Sequence, residues 1–226
     1  MDRPILDYAD ARNIMVDGQV RPNKVYDPRI LDAMRRLPRE RFVPPAMATL
    51  AYCDVNVKLG GGRVLLEPMV IARLVQMAAA RVGERALVVG AGAGYAAALL
   101  AACGAQVTAL EDDAALIALA RVALAGTTGI KLAEGKLVDG WKADAPYDIV
   151  LIDGAVEDVP AAIVAQVRVP SGRLVAIRAG SGRSGAGGMG QAVLGEPAAG
   201  GLSFQAVFDC AAPVLPGLQR APGFVF

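Results

Sequence analysis

The sequence predicts an α/β fold, a mainly parallel sheet packed with helices, and three observations predict it. An apolar run at 86–89 stops at Gly90, glycines follow at Gly92 and Gly94, and an Ala- and Leu-rich helical run continues to about residue 102. This is the form of a buried strand, a tight turn and a helix N-terminus. Short apolar strands and helical patterns then alternate as far as residue 177, which implies right-handed βαβ units with helices on both faces of the sheet. Finally, no helical pattern separates 192–194 from 202–209, so these segments are expected to pair antiparallel at one edge.

Residues 5–20 have roughly helical apolar spacing, broken by Gly18-Gln19-Val20-Arg21-Pro22. Asp27-Pro28 reads as an N-cap followed by a first-turn proline, opening a helix to about Leu37. Residues 38–45 are a turn and an extended piece. Gly60-Gly61-Gly62 opens a flexible loop that leads through Arg63 and Glu67 to Pro68 and a helix, ended by Gly83. Strands are expected at 86–89, 106–110, 130–133, 147–152 and 173–177, with helices at 112–124 and 159–167. The stretch 179–191 is too glycine-rich for regular structure and reads as a mobile connection. The tail 213–226 is punctuated by Pro and Gly, with apolar contacts at Val214, Leu215 and Leu218 among others. One continuous domain is expected, 1–80 forming a helical, substrate-side segment packed on a core of 81–226.

The 226 residues are 54% hydrophobic, enough for a sizeable core, and carry a formal net charge of +1, which argues against a nucleic-acid groove. The first ten residues read as no signal peptide and no window reads as a membrane span, so the expectation is a soluble, cytoplasmic protein with no membrane partner. Cys53, Cys103 and Cys210 are widely spaced and there is no histidine. Structural zinc and histidine-based catalysis are therefore not expected, and neither is any metal; each cysteine reads as a small buried apolar residue.

The glycine turn selects the cofactor. In a dinucleotide fingerprint G-x-G-x-x-G/A starting at Gly90, the third small residue falls at Tyr95, a bulky ring where helix and strand should touch. The pattern is G-x-G-x-G instead, Gly90-Ala91-Gly92-Ala93-Gly94, and it resembles motif I of the S-adenosylmethionine-dependent methyltransferases with a seven-stranded Rossmann-like sheet. Glu111 ends the next strand, about twenty residues beyond Gly90, where a carboxylate can accept both ribose hydroxyls; Asp112 and Asp113 are alternatives. The resemblance further implies adenine contacts at Glu134-Gly135-Lys136 and places Asp153-Gly154 beside the cofactor cleft.

Several segments together resemble the protein-L-isoaspartate O-methyltransferase family. They are Met15-Val16-Asp17-Gly18-Gln19-Val20, Ile30-Leu31-Asp32-Ala33-Met34, Leu37-Pro38-Arg39-Glu40-Arg41-Phe42-Val43-Pro44, Ala51-Tyr52-Cys53-Asp54, the glycine turn with Tyr95, Gly140-Trp141 and Tyr147-Asp148-Ile149-Val150. The resemblance implies an N-terminal helical extension, a final antiparallel strand pair, S-adenosylmethionine as donor and the carboxylate of an L-isoaspartyl residue in an aged protein or peptide as acceptor. It places cofactor contacts at Gly90, Ala91, Gly92, Gly94, Glu111, Asp112, Gly135, Lys136 and Asp153. It places the substrate side at Arg63, Leu65, Leu66, Glu67 and Pro68, with Leu66 where the family carries serine. Val88 and Lys136 also stand where the family has acidic residues.

Methyl transfer to a carboxylate needs no general base, because the acceptor, with a pKa near ~4, is already ionised at neutral pH. The absence of histidine is compatible with that reaction and argues mildly against a hydroxyl acceptor. Arg63 could pair with an acceptor carboxylate, or Arg63 and Glu67 are solvated loop charges. Two other functions compete: a methyltransferase-fold protein that binds the cofactor but lacks repair activity or takes another acceptor, motivated by Leu66 and Lys136, and a nicotinamide-dependent oxidoreductase, disfavoured by Tyr95.

Overall fold

The computed structural model describes residues 7–180 and 188–219. The N-terminal segment holds α1 (Tyr8–Met15) and α2 (Pro28–Arg36). Each has the cap its sequence calls for. The Asp7 carboxylate accepts from the Ala9 and Asp10 amides at 2.8 and 3.3 Å, and Asp27 accepts from the Arg29 amide at 2.9 Å with Pro28 in the first turn. The helical reading from residue 5 changes character at Val16–Val20, a single π-helical turn around Gly18, and its first two residues lie outside the described residues.

The expected loop at 60–62 is instead the turn of a hairpin, β1 (Val57–Gly60) with β2 (Arg63–Leu65), antiparallel. The reason is a short period-two pattern: Val57, Leu59, Arg63 and Leu65 turn inward while Lys58 and Gly60 face out. The three glycines supply positive φ for the reversal, at 104°, 54° and 73°. The hairpin leads into α3 (Pro68–Ala78).

The sheet follows: β3 (Arg85–Val89), α4 (Tyr95–Ala102), β4 (Gln106–Glu111), α5 (Ala114–Ala123), β5 (Ile130–Glu134), β6 (Ile149–Val156), α6 (Ala161–Val164), β7 (Arg173–Ala179), β8 (Met189–Ala198) and β9 (Gly201–Ala211). Its seven strands run in the order β5-β4-β3-β6-β7-β8-β9. The first five named are parallel; β8 and β9 are antiparallel, as their uninterrupted succession predicts. Both are longer than expected. Gly190, Gly195 and Ala198 carry little apolar signal, but the cross-strand ladder recruits them. The glycine-rich stretch is thus shorter than it reads. Residue 179 ends β7, Met189 begins β8, and 181–187 lie outside the described residues.

Side chains alternate across each strand. Ala86 and Val88 enter one core, with α2, α3, α4 and α5; Leu87 and Val89 enter a second core on the opposite face. The helical cover is unequal. Where the alternation implied helices on both faces, the second face carries the four-residue α6, short 3₁₀ turns and the tail residues Leu215 and Leu218. Pro160 and the short apolar run Ala161–Val164 hold only one helical turn there, so the helix read at 159–167 is cut short.

Cys103 and Cys210 are buried, but Cys53 is exposed, because Ala51 and Tyr52 take the inward positions of that turn. Among the described residues no helix is long and apolar enough to cross a membrane. Leu99 is fully buried in the first core. Leu99→Ala is expected to cost about 2–5 kcal/mol, read as a lowered denaturant midpoint at unchanged slope.

Candidate active site

The strand order reverses at β3: β4 and β5 lie to one side, β6 and β7 to the other. The crevice at the carboxyl ends of β3 and β6 is therefore the topological switch point, where open α/β sheets bind ligands. The glycine turn leaves β3 at this point. Gly90, Gly92 and Gly94 take φ of +72°, +54° and +92°, which side-chain-bearing residues adopt at a cost. The Gly90 and Ala91 amides both donate to the Leu110 carbonyl at 3.0 Å, and Gly94 starts α4.

Glu111 pins the turn from the next strand. Its Oε2 accepts the Gly92 amide at 2.8 Å, and its Oε1 accepts the Asp112 and Asp113 amides at 2.9 and 3.2 Å. Arg63 donates to the same Oε1 at 3.2 Å and to Asp112 at 2.6 Å. Arg63 and Glu111 have side chains only 3% and 2% exposed. Arg63 is thus not a solvated loop charge: the hairpin carries it inward onto β4, where its Nη2 serves both carboxylates. Burial, with Glu111 beside it, raises the Asp112 carboxyl above its ordinary range against the pull of Arg63.

Asp153 reaches the crevice through a register break. Leu151 of β6 pairs with Val175, but the next pair is Ala155 with Ile177, so Ile152–Gly154 bulge out of the ladder to β7. Burial pushes the Asp153 carboxyl up to about 7, and Glu111 adds to the rise while Arg39 opposes it. Gly135 follows β5, and a Cβ there would meet the Trp141 ring at 3.3 Å; Lys136 beside it is exposed.

The acceptor-side segment is largely interior. Leu65, Leu66 and Pro68 are buried, and Leu66 belongs to the first core rather than to the crevice wall. Glu67 is half-buried, its amide donating to the Asn56 side chain at 3.0 Å; burial and then the nearby Asp54 raise its carboxyl.

Two features escaped the sequence reading. Arg39 is fully buried, donating to the Ala51 carbonyl at 2.6 Å and the Leu66 carbonyl at 2.5 Å, with its guanidinium 4.7 Å from the Tyr95 ring centre. It joins the acceptor segment to the helix of the glycine turn. Its signal was present in Arg39-Glu40-Arg41-Phe42, but nothing in the pattern tells which arginine turns inward. The other is Leu215. It is buried, and a Cβ at Gly90 or Gly154 would lie 2.8 or 2.6 Å from its side chain.

The residues present fit an adenosyl cofactor. Glu111 Oε2 holds a single partner among the described residues and keeps acceptor capacity for a hydroxyl, and the left-handed glycines keep side chains off the turn. Buried Arg63 Nε and Nη1 and Trp141 Nε1 have no hydrogen-bond partner among the described residues, leaving donors at the crevice end of the sheet.

The sheet with its switch-point glycine turn and strand-end carboxylate defines the class: an S-adenosylmethionine-dependent methyltransferase. Comparison with known proteins narrows this. The model of the protein-L-isoaspartate(D-aspartate) O-methyltransferase family matches residues 11–181. The protein-L-isoaspartate O-methyltransferase of Methylorubrum extorquens (strain PA1) is 43% identical over 175 residues, covering 76% of this chain and 75% of that one. That of Methylorubrum populi (strain ATCC BAA-705 / NCIMB 13946 / BJ001) is 41% identical over 166 residues, 73% and 78% of the two chains. A solved protein-L-isoaspartate O-methyltransferase superposes with a TM-score of 0.74 over 94% of this chain and 67% of its own at 19% identity, which speaks to the fold. The chain belongs to the protein-L-isoaspartate(D-aspartate) O-methyltransferase family.

Two outcomes follow from this geometry. Arg63→Met leaves Glu111 buried opposite no cation and is expected to cost about 3–5 kcal/mol, with less than additive loss when combined with Glu111→Gln in a double-mutant cycle. Asp153 has a folded pKa near 7, above the 3.8 of a free side chain. The folded state then holds the proton more tightly, so Asp153 makes stability fall as pH rises from about 4 to 7. Asp153→Asn is expected to flatten that fall, measured by denaturation across the window.

Proposed function

We propose that the protein transfers the methyl group of S-adenosylmethionine to the free carboxylate of L-isoaspartyl residues in aged proteins. The family match over residues 11–181 carries the reading, and the glycine turn and Glu111 at the switch point support it. When bound, the cofactor supplies an electrophilic methyl on a sulfonium. In this reading Gly90, Ala91, Gly92 and Gly94 give it a close backbone surface, and Glu111, braced by Arg63 and flanked by Asp112, accepts from its ribose. Gly135 and Lys136 face its adenine, and Asp153 lies beside its charged end. The 1–80 segment forms the acceptor side, packed on 81–226, and the working compartment is the cytoplasm.

The chain's own residues have little proton chemistry to do. A carboxylate acceptor arrives ionised, and the site must align it and exclude water. Glu67 stands near that path, its carboxyl raised above its ordinary range by burial and then by Asp54. Arg63, locked against Glu111 and Asp112, steadies Glu111 in place of gripping the acceptor. Leu65, Leu66 and Pro68 give the acceptor segment an apolar backing, with the Leu66 carbonyl held by Arg39.

Incubation with an isoaspartyl peptide and methyl-labelled S-adenosylmethionine is expected to give a base-labile methyl ester, absent with the ordinary aspartyl peptide. No incorporation at enzyme concentrations matching the peptide would sink the reading. Leu66→Ser places a hydroxyl at a core position and is expected to cost at least about 2 kcal/mol of stability. A thermal melt beside the methylation assay separates that loss from any change in turnover.

A further inference from the structure

Three neighbouring strands each bring one residue to the crevice. In the order β4-β3-β6, Glu111 ends the first, Gly90 follows the second and Asp153 lies near the end of the third. Val89 pairs with Ile152, so the next position in register sets Asp153 across from Gly90, where the glycine turn begins. Leu151 and Ala155 enter the first core while Ile152 and Val156 enter the second. The alternation therefore turns Asp153 toward the first face, where the N-terminal segment packs. Asp153 is deeply placed yet still partly exposed, as a group lining a concave wall must be. The two carboxylates differ in company. Glu111 has Arg63 and three backbone amides around it. Asp153 forms no ion pair among the described residues; it feels Arg39 from the N-terminal segment and Glu111 from β4 only through their charge. A ligand whose ribose rests on Glu111 and which crosses the glycine turn comes next to this unpaired carboxylate.

We infer that Asp153 is the charge-selecting residue of the crevice: its carboxylate favours the sulfonium cation of S-adenosylmethionine over the uncharged thioether of S-adenosylhomocysteine. The inference rests on the S-adenosylmethionine reading above and adds to it a preference between donor and product. Donor and product share the adenosine and the amino-acid end; they differ by one methyl group and one positive charge. The glycine turn and Glu111 meet only shared parts, so discrimination falls to a charge placed near the sulfur. An ionised carboxylate with no counter-ion in a water-poor crevice is costly, and a bound cation relieves that cost where a thioether does not. Burial and Glu111 already hold the Asp153 carboxyl toward its neutral form, so its ionised form has the more to gain from a cation. The positive charge disappears as the methyl is transferred. The attraction therefore strengthens donor binding more than it stabilises the transition state, and it favours exchange of product for donor without speeding the chemical step.

The test uses the full chain, with S-adenosylmethionine and S-adenosylhomocysteine as separate probes in calorimetry. The titrations are run at about pH 8, above the value of about 7 to which the Asp153 carboxyl is raised. The wild type is expected to bind the sulfonium compound roughly tenfold more tightly than the thioether, a modest share of the attraction between unit charges a few ångströms apart. Asp153→Asn, similar in shape and uncharged, is expected to lose that preference by weakening the sulfonium compound alone. Wild-type binding of the thioether as tightly as the sulfonium compound overturns the inference without recourse to any variant. A folded Asp153→Asn that weakens both probes equally also overturns it, since a carboxylate paired with the shared ammonium group gives that result. Binding of neither probe removes the cofactor reading and the inference together, an outcome distinct from binding of both without preference.

Discussion

The carboxylate of Glu111 is the contact on which the site depends. One buried group fixes the glycine turn through the Gly92 amide, shapes the start of the next connection through the Asp112 and Asp113 amides, and draws the β1–β2 hairpin down through Arg63. An unpaired carboxylate at 2% exposure is costly, so the arginine and the amides are a condition of its burial. The N-terminal segment and the sheet thereby share an electrostatic joint as well as a hydrophobic core.

A second joint lies across the crevice. Arg39 is buried without a hydrogen-bonded carboxylate among the described residues, stabilised by two carbonyls and the face of Tyr95, and burial lowers its pKa. Tyr95, edge-on to Phe42 at 5.1 Å, is the residue whose bulk excludes a dinucleotide turn. Its ring faces the N-terminal segment, which explains the size of that residue: it fills the seam between the helix after the glycine turn and Arg39 and Phe42.

Local signals made the fold legible in the sequence. The run ending at Gly90, the cap at Asp27 and the alternation to residue 177 each depend on neighbours a few residues away, and each appears as an element. What stayed hidden depended on distant partners. Arg63 in a glycine-rich stretch reads either as an acceptor's partner or as a solvated loop charge, and its pairing with Glu111, 48 residues further along the chain, depends on the hairpin. Leu215 reads as one apolar residue in a Pro-punctuated tail, and its place against Gly90 and Gly154 follows from strand pairing that no periodicity encodes. The span of β8 was under-read for a related reason: glycines in a ladder are held by their partners and give no apolar signal of their own.

With no imidazole anywhere in the chain, Asp153 has a further consequence. Side chains that change charge between about pH 5 and 8 are ordinarily histidines. Here a carboxyl that titrates at about 7 lies at the sheet's switch point. Burial and the neighbouring Glu111 thus make this carboxyl easier to protonate than a free one, and no imidazole anywhere in the sequence shares that role.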